Sequence, residues 1–180
     1  MSRRRLQLVL ALGLMGALAA VGVAVAGGGG TEFKEHLMGY QEVPAVSTDA
    51  DGTFEARISP SGDRIDFTLS YSELTGAVQQ AHIHFGQRSV NGGISAFLCT
   101  NLGNGPAGTQ ACPPGPATVT GTIEPDDIVG PGSQGIAAGE FDELVAAIRA
   151  GIAYANVHSQ TFPNGEIRAQ LDHGDEDDQR

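Results

Sequence analysis

Residues 53–70 read TFEARISPSGDRIDFTLS, and two runs within this stretch alternate apolar with polar side chains. The runs span residues 54–58 and 65–69, and in each of them every second residue is apolar. Alternation with a period of two predicts a β-strand that packs one face against a core. The SPSGD segment at 59–63 consists of turn-forming residues, so the whole stretch predicts a β-hairpin.

The same alternation recurs further along the chain, with Gly- or Pro-containing turns between most of the runs. These runs are residues 80–85, 94–98, 118–123, 152–158 and 166–171. Between Gly139 and Gly151 the apolar residues instead recur at helical spacing, and acidic residues occupy the first turn. The pattern predicts an all-β protein, an antiparallel β-sandwich with one short helix near residues 139–150.

The N-terminus has the pattern of an export signal. Three arginines, Arg3 to Arg5, precede an uncharged run that ends in Ala24-Val25-Ala26, a small-x-small cleavage pattern. Residues 1–26 are therefore predicted to be an export signal, with an uncleaved N-terminal anchor as the alternative because the run is close to a bilayer span. The Ser2-Arg3-Arg4 sequence also resembles a twin-arginine signal. Each version predicts an exported protein, either secreted, periplasmic or held at the cell surface.

The remainder of the chain is predicted to hold one domain, residues 32–171. Residues 27–31 form a predicted flexible spacer, and residues 172–180 a predicted disordered acidic tail. The formal charge is −11, and removing the three arginines of the export signal makes it −14. This charge argues against nucleic acid as a partner, and a membrane is expected only if the N-terminal segment is uncleaved.

Two cysteines, Cys99 and Cys112, lie 13 positions apart in a segment rich in Gly, Pro and Asn. In an oxidising compartment we expect a disulfide between them in preference to two free thiols.

The stretch AHIHFG, residues 81–86, has two histidines at alternate positions. If the apolar residues of this strand face the core, His82 and His84 share the opposite, outer face. The same reasoning places Asn156 and His158 on the outer face of their own strand. Three neutral imidazoles are a ligand set for copper or zinc, provided that the two strands are neighbours. The alternative is a hydrogen-bonded polar cluster that joins the strands.

Glu166 and Arg168 are predicted to lie on the outer face of the last strand, near these histidines. An exposed cross-strand ion pair is the favoured interpretation, ahead of a catalytic role. Asn156 is expected either to orient a histidine ring or to make a strand-edge hydrogen bond.

Several motifs together resemble the CHRD (chordin) domain family over most of the mature chain. They are Glu42-Val43-Pro44, Leu69-Ser70-Tyr71, Ala81-His82-Ile83-His84, Tyr154-Ala155-Asn156-Val157-His158 and the segment from Phe162 to Gln170. The cysteine segment and Phe85-Gly86-Gln87 resemble a bacterial exported branch of the family. The resemblance implies an immunoglobulin-like β-sandwich, and with it the proximity of the histidine strands that a shared site requires.

A looser likeness connects the histidine strand with the copper strand of copper/zinc superoxide dismutases. No histidine lies between His84 and His158 to bridge two metals, so the likeness leaves a mononuclear site.

We therefore expect an exported binding module with a surface histidine site for copper or zinc, used in metal binding or in contacts with an extracellular protein. An enzyme is not favoured, and no catalytic residue is assigned. The alternatives are a metal-dependent redox enzyme of superoxide-dismutase-like type, and a structural or adhesive domain without metal.

Overall fold

The computed structural model describes residues 32–172, in which eight β-strands and one α-helix are found. The strands are β1 (Glu32–Met38), β2 (Asp51–Ile58), β3 (Ile65–Ser72), β4 (Val78–Phe85), β5 (Gly93–Thr100), β6 (Ala117–Ile123), β7 (Ala153–Ser159) and β8 (Ile167–Leu171). The helix α1 (Phe141–Arg149) lies between β6 and β7, and three single-turn 3₁₀ helices lie in the connections. The predicted all-β fold with one short helix is confirmed.

The strands follow the order β5-β4-β7-β8-β1-β2-β3-β6, and every neighbouring pair is antiparallel. The two groups of four strands meet at β8 and β1, where the ladder consists of the pair Met38 and Arg168. At the opposite side the Gln110 amide donates to the carbonyls of Leu98 on β5 and Thr120 on β6. The result is a β-sandwich that is nearly closed into a barrel.

The predicted hairpin joins β2 and β3. Its strands pair in the register Phe54 with Leu69, and the Ser59 N–H donates to the Arg64 carbonyl across the turn. The apolar alternates of the strands, together with the buried face of α1, form one core cluster. The period-two pattern therefore places the core side of these strands correctly.

The predicted disulfide is present between Cys99 and Cys112. The disulfide closes a loop, and the Asn101 side chain fastens this loop to the sheet. Its amide donates to the carbonyls of Val78 on β4 and Cys112 in the loop. The covalent link and these hydrogen bonds hold the long β5–β6 connection against the end of the β4–β5 pair, where β4 begins and β5 ends.

Some predictions fall on other parts of the chain. The export signal at 1–26, the spacer at 27–31 and all of the acidic tail except Asp172 lie outside the described residues. Within residues 32–172, no helix is long and apolar enough to cross a membrane.

Candidate metal centre

The three histidines lie together on two adjacent strands. His82 and His84 are on β4, and His158 is on β7, which pairs with β4 in the register Gln80 with His158. His158 is thus the diagonal neighbour of His82 across the ladder, a position that long and aromatic side chains can bridge. One ring nitrogen from each of the three residues lies within 4.8 Å of the other two.

The prediction that these rings are exposed is wrong. Relative exposure is 0% for His82, 8% for His84 and 6% for His158, so the cluster is buried and not a surface site. Alternation assigns the rings to the correct side of the strands, opposite the apolar core. It does not determine whether that side is covered by other parts of the chain.

Three connecting segments cover this face. The segment after β1 contributes Glu42, which hydrogen-bonds Asn156, and the β4–β5 loop of residues 86–92 contacts both His84 and Arg168. The β7–β8 loop places the Pro163 carbonyl on His158. A bond from the Asn91 amide to the Val43 carbonyl joins the first two segments. The outer face of β4, β7 and β8 is therefore a second, polar interior.

Two backbone carbonyls define the tautomers of two rings. The Nδ1 of His84 lies 3.1 Å from the Gly92 carbonyl oxygen, and the Nδ1 of His158 lies 3.0 Å from that of Pro163. A carbonyl only accepts, so both Nδ1 atoms carry the proton and both Nε2 atoms present a lone pair, that of His158 toward the Nδ1 of His82. Metal-binding histidines typically show this arrangement, because the second hydrogen bond orients the ring toward the ion.

His82 completes the cluster. Its Nδ1 lies 3.2 Å from the Nε2 of His158, and the edge of the Phe97 ring packs against its imidazole at a centroid distance of 4.5 Å. Two nitrogens bound at about 2.0–2.1 Å to one tetrahedral zinc ion lie about 3.3 Å apart, so this spacing fits a shared ion. The Nε2 atoms of His82 and His84 are buried with no protein hydrogen-bond partner.

Burial keeps these rings neutral. Desolvation, reinforced by His158 and His84, lowers the pKa of His82 to about 2. Desolvation also lowers the pKa of His84 to about 4, and it lowers that of His158. A neutral imidazole is the form that binds a metal, so the cluster needs no deprotonation before it accepts an ion at neutral pH.

Two glycines allow the covering loops to approach closely. A Cβ on Gly92 would overlap the Phe85 carbonyl, so only glycine brings its own carbonyl to His84. Gly165 has a φ of 122°, and a Cβ there would meet the paired side chains of Glu42 and Asn156. Both positions require glycine for steric reasons.

An aromatic stack connects the cluster to Arg168. The Tyr154 ring lies parallel to the His84 ring at 4.7 Å, and the Arg168 guanidinium carbon lies 3.4 Å from the centroid of the Tyr154 ring. Since β4 and β8 flank β7 on opposite sides, His84 and Arg168 contact opposite faces of Tyr154. The order of the stack is imidazole, phenol ring, guanidinium.

The predicted exposed ion pair between Glu166 and Arg168 is wrong on both points. Both residues are buried, and they do not pair with each other. Glu166 accepts hydrogen bonds from the Thr48 hydroxyl and the Thr75 N–H, at 2.7 and 2.9 Å. Burial acts to raise the pKa of Glu166, but such hydrogen bonds outweigh it and lower the pKa.

Asn156 does not orient a histidine. Its amide donates to the Ile167 carbonyl and to Glu42, a buried carboxylate that sequence reasoning did not assign to the site. Tyr154, Gly92 and Pro163 were also missed as partners of the histidines. Alternation places Tyr154 on the same outer face as His158. Nothing in the sequence indicates that Glu42, Gly92 or Pro163 belongs to the site.

Glu42 is the basis of a prediction about pH. Burial raises the pKa of Glu42 to about 7, although Arg168 and the Asn156 amide act to lower it. Between pH 4.5 and 7 the folded state therefore holds a proton that the unfolded chain has released, and acidification across this window stabilises the wild type. Glutamine does not titrate. We expect the free energy of unfolding of the wild type, measured in urea, to rise by about 3 kcal/mol relative to that of Glu42→Gln as the pH falls from 8 to 4.5. Parallel pH profiles would contradict this assignment.

The described residues thus form an antiparallel β-sandwich with a buried cluster of three histidines. The family model of the CHRD domain matches residues 33–171, and the chain belongs to this family. No curated protein and no solved structure matches the chain significantly. The resemblance to a bacterial branch and the looser likeness to superoxide dismutases stay predictions.

Proposed function

We propose that this CHRD domain is an exported binding module that holds one transition-metal ion, copper or zinc, between His82, His84 and His158. The observation that carries the proposal is the convergence of one nitrogen from each ring within 4.8 Å. The Nδ1 protons of His84 and His158 are directed to carbonyls, which leaves the Nε2 lone pairs for the ion.

The alternative, a polar cluster without metal, leaves two ring nitrogens of the cluster without a hydrogen-bond partner. A purely structural network would be expected to pair every buried polar group, because an unpaired one is costly. Here the Nε2 atoms of His82 and His84 are buried and have no protein partner. An ion bound by the Nε2 of His84 would engage a buried nitrogen lone pair that the protein itself does not use.

Burial of the rings supports binding over catalysis. A catalytic metal keeps a coordination position open to water or substrate. The loops that cover the cluster, residues 86–92 and 160–165, place their backbone against the rings and restrict that access. The disulfide between Cys99 and Cys112 supports an exported location, because such bonds persist in oxidising compartments. An extracellular protein partner stays a prediction from the sequence.

The test measures bound metal in protein purified without a histidine tag. The wild type is loaded separately with copper and zinc, passed through a desalting column and analysed by mass spectrometry for metal per chain. We expect about one ion per chain with wild type and close to none with His82→Ala/His84→Ala/His158→Ala.

The matched control is His36→Ala. His36 is an exposed histidine on β1 that pairs with Asp51, away from the cluster, so this variant should keep the ion. Circular dichroism verifies that each variant is folded, and the single variant His158→Leu replaces the triple variant if it is not. Wild type that retains no metal, or a folded variant of the cluster that retains as much as wild type, would reject the proposal.

A further inference from the structure

The donor set of the cluster has no negative charge. The group comprises three neutral imidazoles, and no carboxylate of residues 32–172 joins them within the same spacing. Of the two buried carboxylates nearby, Glu42 hydrogen-bonds Asn156, and Glu166 accepts from Thr48 and Thr75 through Oε1, whereas its Oε2 has no hydrogen-bond partner among the described residues. An ion held here would keep its full formal charge.

The surroundings of the cluster penalise that charge. His82 is completely buried, and the other two rings are more than nine-tenths buried. The cost of placing an ion in a medium of low dielectric constant rises with the square of its charge. A divalent ion is therefore disfavoured in this interior much more strongly than a monovalent one.

Arg168 adds a fixed positive charge on the same side. Its guanidinium lies on one face of Tyr154, and the other face of that ring stacks on His84. The Glu42 carboxylate has its pKa raised to about 7 by burial, so at neutral pH it offsets this charge only in part. The repulsion from Arg168 is twice as large for a divalent ion as for a monovalent one.

We infer that the ion held by His82, His84 and His158 is monovalent copper, Cu(I), in preference to Cu(II) or Zn(II). The inference rests on the proposed function, because it concerns the same three ligands. Copper is the metal with imidazole affinity that is stable in a monovalent state, so the charge of the site selects both the element and its oxidation state.

The first test compares the reduction potential of copper bound to wild type with that of copper in aqueous imidazole, which supplies the same donor in water. A hundredfold stronger preference for Cu(I) corresponds to a rise of about 120 mV at 59 mV per tenfold. We expect a rise of at least this size. A potential equal to or below the imidazole reference would overturn the inference.

The second test titrates the protein anaerobically with Cu(I) against a colorimetric chelator, and separately with Zn(II). We expect Cu(I) to bind at least 100-fold more tightly than Zn(II), about two decades in the dissociation constant. Zn(II) bound as tightly as Cu(I) would overturn the inference and leave the proposed function standing. Failure of both ions to bind would reject the proposed function itself.

A pair of variants isolates the contribution of Arg168. Folded Arg168→Met should reduce the preference for Cu(I) over Cu(II) about tenfold, whereas Arg168→Lys, which keeps the charge, should retain most of it. An unchanged preference in Arg168→Met would contradict the role given to Arg168. If Arg168→Met does not fold, the potential of the wild type decides the inference alone.

Discussion

Replacement of Arg168 by methionine is expected to lower the free energy of unfolding by about 3–5 kcal/mol, because it removes a buried donor from its acceptors and ends a desolvated cation–π contact. Urea denaturation at pH 7.5 measures this change. The substitution keeps a long side chain in place, so the loss reports mainly the charge and its hydrogen bonds.

The contacts of Arg168 explain the size of the effect. The side chain is 1% exposed, and its Nη2 donates to the Gln87 carbonyl at 3.2 Å and to Gln170 Oε1 at 3.3 Å. Leaving a buried acceptor without its donor costs about 1–3 kcal/mol. The cation–π contact with Tyr154 contributes up to about 2 kcal/mol more when it is desolvated.

Arg88→Met is the matched control. Arg88 lies in the β4–β5 loop that contacts Arg168, but its side chain is mostly exposed, and it forms a surface ion pair with Asp172. Such pairs contribute about 0–1 kcal/mol, so this variant should unfold close to wild type. Equal losses in the two variants would show that the Arg168 network does not stabilise the fold as we describe.

Local sequence patterns predicted most of the fold. The hairpin of β2 and β3 and the helix α1 each depend on residues close together in the chain, namely alternation, a turn segment and helical spacing. The strand order was outside the reach of such patterns. β4 pairs with β5 and with β7, and the second pairing joins residues that are 68 to 81 positions apart, from Phe85 with Ala153 to Val78 with Ser159.

The sequence predicted that the three histidines lie together, but not what surrounds them. Alternation placed His82 and His84 on one face, and the resemblance to the family brought His158 to them. Whether the face of a strand is exposed to solvent depends on where the connecting segments run. Three of these segments cover the histidine face, namely residues 39–48, 86–92 and 160–165. Alternation alone therefore predicts an exposed ion-pair partner at Arg168, which is buried in the structure.

The hydrogen bonds that orient the rings were also beyond sequence reasoning. The acceptors for His84 and His158 are the main-chain carbonyls of Gly92 and Pro163. Every residue carries such a carbonyl, whatever its side chain. Backbone acceptors have no signature in the sequence. Only the path of the loop decides which carbonyl reaches the imidazole.

Metal binding is expected to stabilise the folded protein through linkage. An ion that binds the folded state and not the unfolded chain adds about 1.4 kcal/mol for each tenfold rise in free metal above its dissociation constant, and about 4 kcal/mol at a thousandfold excess. Because His82, His84 and His158 come from segments far apart in the chain, the unfolded state has no preformed site. Urea unfolding at buffered metal concentrations measures this dependence.

The slope of stability against the logarithm of free metal separates a specific site from loose association. The free energy of unfolding of wild type and of His36→Ala should rise with the same slope and from the same metal concentration, since His36 lies on β1 and takes no part in the cluster. His158→Leu removes one of the three ligands, and the loss of a ligand weakens binding, so its stability should begin to rise only at much higher metal concentration. A flat profile in wild type, or a rise in His158→Leu at the same concentration as in wild type, would contradict binding at the three histidines. The comparison does not depend on how stable each variant is without metal, because only the change with metal concentration is read.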